Sequence, residues 1–292
     1  MSRKKTLLGP TTARNVFQNF GYEAGKVIGT GTYSKVYVVT NQMQKKFACK
    51  VVRKREAGDS FISKFLPREL KIVGNIKHPN IVQVHQIIDM KHAVYMFMDY
   101  CEKGDLLEFI RMHGPFTVEQ CKSIFKQVVD AVYYLHNLDV AHRDLKCENV
   151  FLTGKNFAKL GDFGFARYCR NKNGDYLMSD TFCGSTAYAA PEILQGQFYH
   201  PKKYDIWALG VVLHVMLTAT MPFDDANPKQ MLKSQLSNSI KRITRFWDEC
   251  PQKVKELQIA LLEADVRKRI DIKGVVEHDC FKQDISKIES ST

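Results

Sequence analysis

The stretch His142-Arg143-Asp144-Leu145-Lys146-Cys147-Glu148-Asn149 leads directly into an apolar run, Val150–Leu152, and Gly161-Asp162-Phe163-Gly164 follows shortly after. Asp144 and Asn149 therefore lie in a polar loop just ahead of a strand-like segment. A carboxylate placed there can orient a substrate hydroxyl and accept its proton. A carboxamide can hold a metal, and a lysine such as Lys146 can meet a transferring phosphoryl group. Asp162, flanked by glycines, adds a second carboxylate suited to Mg²⁺, a hard ion that takes oxygen ligands and keeps several waters. Ala190-Pro191-Glu192 closes the polar stretch that opens at Asp162.

Toward the N-terminus, Gly29-Thr30-Gly31-Thr32-Tyr33-Ser34 lies between two strand-like runs. Glycines there let backbone N–H groups approach a polyphosphate without hindrance from Cβ. A dinucleotide fingerprint needs a helix next, whereas Val36–Val39 continues as a strand, so that reading fails. Lys50 sits inside the apolar run Phe47–Val52 and needs a partner there; Glu69, on the helical stretch that follows, is the candidate. The runs Lys26–Ile28, Val36–Val39, Phe47–Val52, Ile81–Ile88 and Ala93–Met98 predict a small antiparallel sheet with one helix from Pro67 to Ile76. Beyond Cys101 the period becomes helical, over Thr117–His136 and near 205–220, 228–239, 251–262 and 271–278. A strand-rich lobe followed by a helix-rich lobe predicts an α+β fold with a cleft at the junction near residue 100.

The 292 residues carry 43 Lys and Arg against 31 Asp and Glu, a formal charge of +12, with ordinary hydrophobic content. Basic excess favours phosphate-rich or acidic partners. No single element interleaves aromatic with basic residues, so no specific nucleic-acid partner is expected. The eight cysteines are scattered without a C-x-x-C pair, and the first residues lack an apolar core, so reduced thiols and a cytoplasmic location are expected. The most apolar run, Ile206–Met221, is too short to span a bilayer and reads as a buried helix; no membrane partner is expected.

In order and spacing these elements resemble the eukaryotic protein kinase signature set over residues 22–284. The resemblance implies a bilobal fold, with a basic extension at 1–21, an N-lobe at 22–100, a C-lobe at 101–284 and a tail at 285–292. It implies ATP as cosubstrate with Mg²⁺, or Mn²⁺ in its place. Ile28, Gly29, Thr30 and Gly31 resemble the loop over the ATP phosphates, and Ser34 stands where a third glycine is usual. Lys50, held by Glu69, resembles the lysine on the α- and β-phosphates. Met98 falls at the gatekeeper position, Asp99, Tyr100 and Cys101 at the hinge, and Val36, Ala48 and Phe151 around the base. Asp105 resembles the acidic group that meets ribose or a basic substrate side chain. Asp144 resembles the catalytic base, Lys146 the γ-phosphate partner, and Asn149 with Asp162 the metal ligands.

Lys146, two positions after Asp144, is the serine/threonine pattern. Glu148 and Asp105 imply a preference for Arg or Lys upstream of the target hydroxyl. Thr181, four residues before Ser185, resembles an activating phosphothreonine, with Arg143 and Arg167 placed to pair with its phosphate. Glu192 with Arg269, and Asp205 with the catalytic loop, read as structural anchors. Phe65-Leu-Pro-Arg-Glu-Leu and Thr181-Phe-Cys-Gly-Ser-Thr-Ala-Tyr-Ala-Ala-Pro-Glu, taken with the two catalytic motifs, are similar to the testis-specific serine kinases of the calcium/calmodulin-dependent group, which implies a role in sperm development. A monomer acting on protein substrates is expected. The alternative is a pseudokinase scaffold that binds nucleotide without turnover.

Overall fold

The computed structural model describes residues 13–154, 156–181, 183–240 and 248–282. The chain divides into two compact units, one of residues up to 74 together with 83–101, the other of 75–82 together with 102 onward. The tail at 285–292 and the first twelve residues of the expected basic extension lie outside the described residues.

In the first unit β1 (Tyr22–Thr30), β2 (Ser34–Asn41), β3 (Lys46–Arg53), β4 (Val84–Asp89) and β5 (Ala93–Asp99) form one sheet. Its order is β1-β2-β3-β5-β4, with every pair antiparallel. Side chains alternate across a strand. Phe47, Cys49 and Val51 of β3 thus join Val39, Tyr95 and Phe97 in a core on one face, while Lys50 between them leaves for the other. The sequence reads residues before about 20 as loose, and the structure differs. Ala13–Asn19 form helix α1, which buries Val16 and Phe17 against this core. Phe17 meets Tyr37, Tyr95 and Phe97 edge-on, with centroids 5.4, 6.0 and 6.2 Å away. A helix this short shows no period of its own, and aromatic burial holds it instead. A π-helical turn, Phe61–Phe65, feeds α2 (Leu66–Val73), whose buried face carries Glu69.

The second unit holds α3 (Leu106–His113), α4 (Val118–Asn137) and four short strands, β6 (Val140–Ala141), β7 (Val150–Thr153), β8 (Phe157–Leu160) and β9 (Arg167–Tyr168). Then come α5 (Pro191–Leu194), α6 (Pro201–Thr218), α7 (Pro228–Leu236), α8 (Gln252–Leu261) and α9 (Ile272–Val276). Thr117 starts α4 with a capping box completed by Gln120. Helix α6 is buried on every side from Tyr204 to Leu217, as a helix apolar all round must be. Residues 75–82 join this unit because Val82 N donates to Leu160 O (2.8 Å), Asn80 Nδ2 to Ala158 O (3.0 Å) and Lys77 N to the Tyr134 hydroxyl (2.9 Å). All eight cysteines are free thiols. No helix among the described residues is long and apolar enough to cross a membrane.

One buried group in α6 makes stability depend on pH. His214 lies in the core with Nδ1 2.6 Å from Gln258 Nε2, and burial pulls its imidazole down from 6.5 to about 4. The folded state therefore stays unprotonated while the unfolded chain takes up a proton below pH 6.5, so this contribution is intact at neutral pH and is lost as pH falls toward 4. The shift corresponds to about 3 kcal/mol. Urea melts of wild type and His214→Gln at pH 7 and 4.5 are expected to show a markedly smaller acid loss in the variant.

Candidate active site

The loop between β6 and β7 is held from below by one carboxylate. Asp205, fully buried on α6, accepts from His142 N and Arg143 N (both 2.8 Å) and pairs with His136 Nε2 (2.9 Å). His142 in turn accepts at Nδ1 from Asp144 N (3.3 Å), donates from Nε2 to Gly161 O (3.0 Å), and packs its ring edge-on against Phe163. These contacts fix Arg143 and Asp162 in left-handed backbone, at φ 67° and 54°. Such conformations cost about 1–3 kcal/mol each and persist only where neighbours enforce them.

Above that base the polar side chains converge. Lys146 Nζ lies 3.0 Å from Asp144 Oδ2. Asn149 Nδ2 donates to Asp144 O (2.8 Å) and to the same Oδ2 (2.9 Å). Both bonds use the nitrogen of the carboxamide, whose oxygen is the atom with the lone pairs a cation would need. Gly161 N donates to Asn149 O at 2.9 Å, tying the segment of Asp162 to the loop of Asp144. Between Lys146 and Glu148, burial pushes the Cys147 thiol up to about 12, which keeps it neutral. Asp105 caps α3 by accepting Glu108 N at 2.9 Å and forms a bridge to Phe151.

The first unit carries the other set. Lys50 Nζ meets Glu69 Oε1 at 2.8 Å, the pairing expected from the sequence. In the sheet register Lys50 pairs with Val36 and Ala48 with Met98, while Gly29 pairs with Val36 and Thr30 with Lys35. Gly31 N donates to Ser34 O (2.9 Å), closing the tight turn that carries Tyr33. Ile28 is exposed beside it. The Asp99 carboxylate accepts from Gln83 N (3.1 Å) and meets His85 Nε2 (2.8 Å), which anchors the segment leading to Tyr100 and Cys101.

Arg143 and Arg167 do come together, but not on Thr181. Both direct Nη1 at the Ser179 hydroxyl, at 3.2 and 3.3 Å, and Arg143 also sends Nε and Nη2 to Cys183 Sγ at 3.1 and 2.7 Å. The Thr181 hydroxyl instead donates to Asp180 Oδ1 (3.0 Å) at the surface.

A family model described as the protein kinase domain matches residues 22–281. The chain belongs to the protein kinase family. This kinase is 43% identical over 261 residues to mouse testis-specific serine/threonine-protein kinase 3, covering 88% of the chain and 95% of that relative. It is 41% identical over 273 residues to mouse testis-specific serine/threonine-protein kinase 1, covering 92% and 73%. The kinase is thus an ATP-dependent protein serine/threonine kinase, and a scaffold without turnover finds no support. Its family implies ATP and a divalent metal.

Two further features of the kinase had no sequence signal. Gly184 takes φ 98°, and a Cβ there would stand 3.0 Å from Asp144 Oδ1 and 3.2 Å from Arg143 O, so only glycine lets this segment lie against the catalytic loop. A Cβ on Gly161 would meet Phe151 Cε2 at 2.9 Å and Val82 Cγ2 at 3.1 Å. The bulky ring at 151 and the missing side chain at 161 are complementary. Gly161→Ala is therefore expected to lower kcat/KM for ATP by about tenfold, one to two kcal/mol of overpacking, and Phe151→Leu in the same chain is expected to restore most of it in steady-state kinetics.

Proposed function

We propose that the kinase transfers the ATP γ-phosphoryl group to serine and threonine hydroxyls of proteins, with catalysis resting on positioning and charge neutralisation. The observation that carries this is the cluster in which Lys146 and Asn149 both lie within hydrogen-bonding reach of the Asp144 carboxylate, tied through Gly161 to Asp162. Asp144 accepts the proton of the incoming hydroxyl and Lys146 steadies the transferring group. Lys50, kept extended by Glu69, grips the α- and β-phosphates. Ile28, Gly29, Thr30 and Gly31 cover the phosphates. Val36, Ala48 and Phe151 enclose the base beside Met98, and the Asp99–Cys101 backbone meets its edge. The hard oxygen donors of Asp162 and Asn149 suit Mg²⁺, or Mn²⁺, and these two side chains would hold it. When bound, the ion neutralises triphosphate charge.

Glu148, whose Oε2 accepts from the Tyr188 hydroxyl at 3.4 Å, and Asp105 support a preference for basic residues upstream of the acceptor. A positional peptide array is expected to favour Arg or Lys there, and Glu148→Gln is expected to weaken that selection; enrichment of acidic residues would refute it. Phosphorylation of Thr181 supports higher activity, through pairing of the phosphate with Arg143 and Arg167. Thr181→Ala is expected to lower kcat about tenfold against the phosphorylated protein, and full retained activity would count against the switch. The kinase acts as a cytoplasmic monomer, and the likeness to testis-specific kinases supports a role in sperm development.

A further inference from the structure

The arginine pair that awaits a phosphate already has a ligand. Arg143 is 2% exposed and Ser179 is 1% exposed, and a buried guanidinium is costly unless its donors are met. Here the Ser179 hydroxyl accepts from both Arg143 Nη1 and Arg167 Nη1, and Cys183 Sγ accepts from Arg143 Nε and Nη2. Ser179 is itself clamped by its backbone: its N–H donates to Tyr199 O and Tyr199 N–H donates back to Ser179 O, both at 2.9 Å. Upstream, Leu177 N donates to Cys169 O (2.8 Å), and Arg170 Nε pairs with Asp139 (3.2 Å) while its guanidinium lies 3.7 Å from the Tyr176 ring centroid. Downstream, the Tyr199 hydroxyl donates to Thr181 O (3.1 Å), which leaves the Thr181 side chain outward. The segment is thus fastened on both sides of Thr181 without any charge on Thr181.

We propose that Ser179 is a positioning residue, an internal hydroxyl ligand that holds Arg143 and Arg167 and orders the activation segment before Thr181 is modified. The unmodified kinase then has basal turnover, because Arg143 adjoins Asp144 and is kept in place. A phosphate on Thr181 takes over the arginines and makes the hydroxyl dispensable. This extends the Thr181 reading above and rests on it for the takeover, but the basal part stands without it.

The test uses the full chain with Thr181→Ala, where no phosphate can form, with and without Ser179→Ala. Removing the hydroxyl is expected to lower kcat at least tenfold further, with the KM for ATP within about threefold and more rapid amide hydrogen exchange over residues 170–181. In the second arm, Ser179→Ala carrying phosphorylated Thr181 is expected to recover to within about threefold of phosphorylated wild type. Equal kcat with and without Ser179 in the first arm overturns the proposal. So does a Ser179→Ala loss that phosphorylation does not relieve, since that marks a merely structural hydroxyl. If wild type is equally active with and without phosphate, the Thr181 reading fails instead, and the first arm alone decides the role of Ser179.

Discussion

Asp144→Asn is expected to lower kcat by about 10³-fold, within the 10²–10⁴ range typical of a lost general base, while ATP affinity stays within about threefold of wild type. The asparagine keeps the size of the side chain and an oxygen that can still accept from Asn149 Nδ2, now 2.9 Å from Asp144 Oδ2. It gives up the negative charge beside Lys146 Nζ, 3.0 Å away, and the basicity that takes the hydroxyl proton. The loop itself has no reason to move, because its anchors run through backbone groups to Asp205 and through His142 to Gly161. Single-turnover kinetics beside titration of a fluorescent ATP analogue separate the two effects. Loss of nucleotide affinity equal to the loss of kcat would mean that Asp144 binds ATP rather than acting on the acceptor.

The second large effect is on folding. Arg269 is buried, and its guanidinium forms a fork on Glu192, with Nη1 to Oε1 at 2.7 Å and Nη2 to Oε2 at 2.9 Å. Nε also donates to Glu263 O (2.8 Å) and Nη1 to Lys203 O (3.0 Å), and the cation lies 5.1 Å from the Trp207 ring centroid. Arg269→Met leaves the Glu192 carboxylate buried without its partner, a change that destabilises by about 3–5 kcal/mol. Against a total stability on the order of 5–15 kcal/mol, that is enough to shift the urea midpoint far or to abolish soluble expression. Glu192→Leu combined with Arg269→Met is expected to be more stable than Arg269→Met alone, because no charge is then left unpaired. Arg269→Lys is not conservative here, since one ammonium cannot make the fork.

How much of this was legible beforehand depends on where the information sits. The catalytic loop, the Lys50–Glu69 pair, the Glu192–Arg269 pair and the anchor at Asp205 were readable because each needs a charged residue at a fixed place in an ordered motif. The sheet was readable from short alternating runs between turn residues. Helix α1 was not, since Val16 and Phe17 are two apolar residues in a short stretch and only the aromatic face of the sheet gives them somewhere to go. Residues 75–82 looked like part of the first unit because the chain passes there in sequence, whereas Asn80 and Val82 bond to Ala158 and Leu160 far along it. Ser179 escaped notice for a similar reason. A serine in a polar loop carries no motif, and only the fold brings two arginines onto its hydroxyl. The fit of Gly161 under Phe151 likewise exists only in three dimensions.

The most direct measurement of the central claim is transfer of radiolabel from [γ-³²P]ATP by the wild-type chain to matched peptides offering serine, threonine or tyrosine. The expected result is metal-dependent labelling of the serine and threonine peptides, abolished by chelation, with tyrosine labelled at least about a hundredfold less. Labelling of tyrosine alone, or hydrolysis of ATP with no label in any peptide, would contradict it.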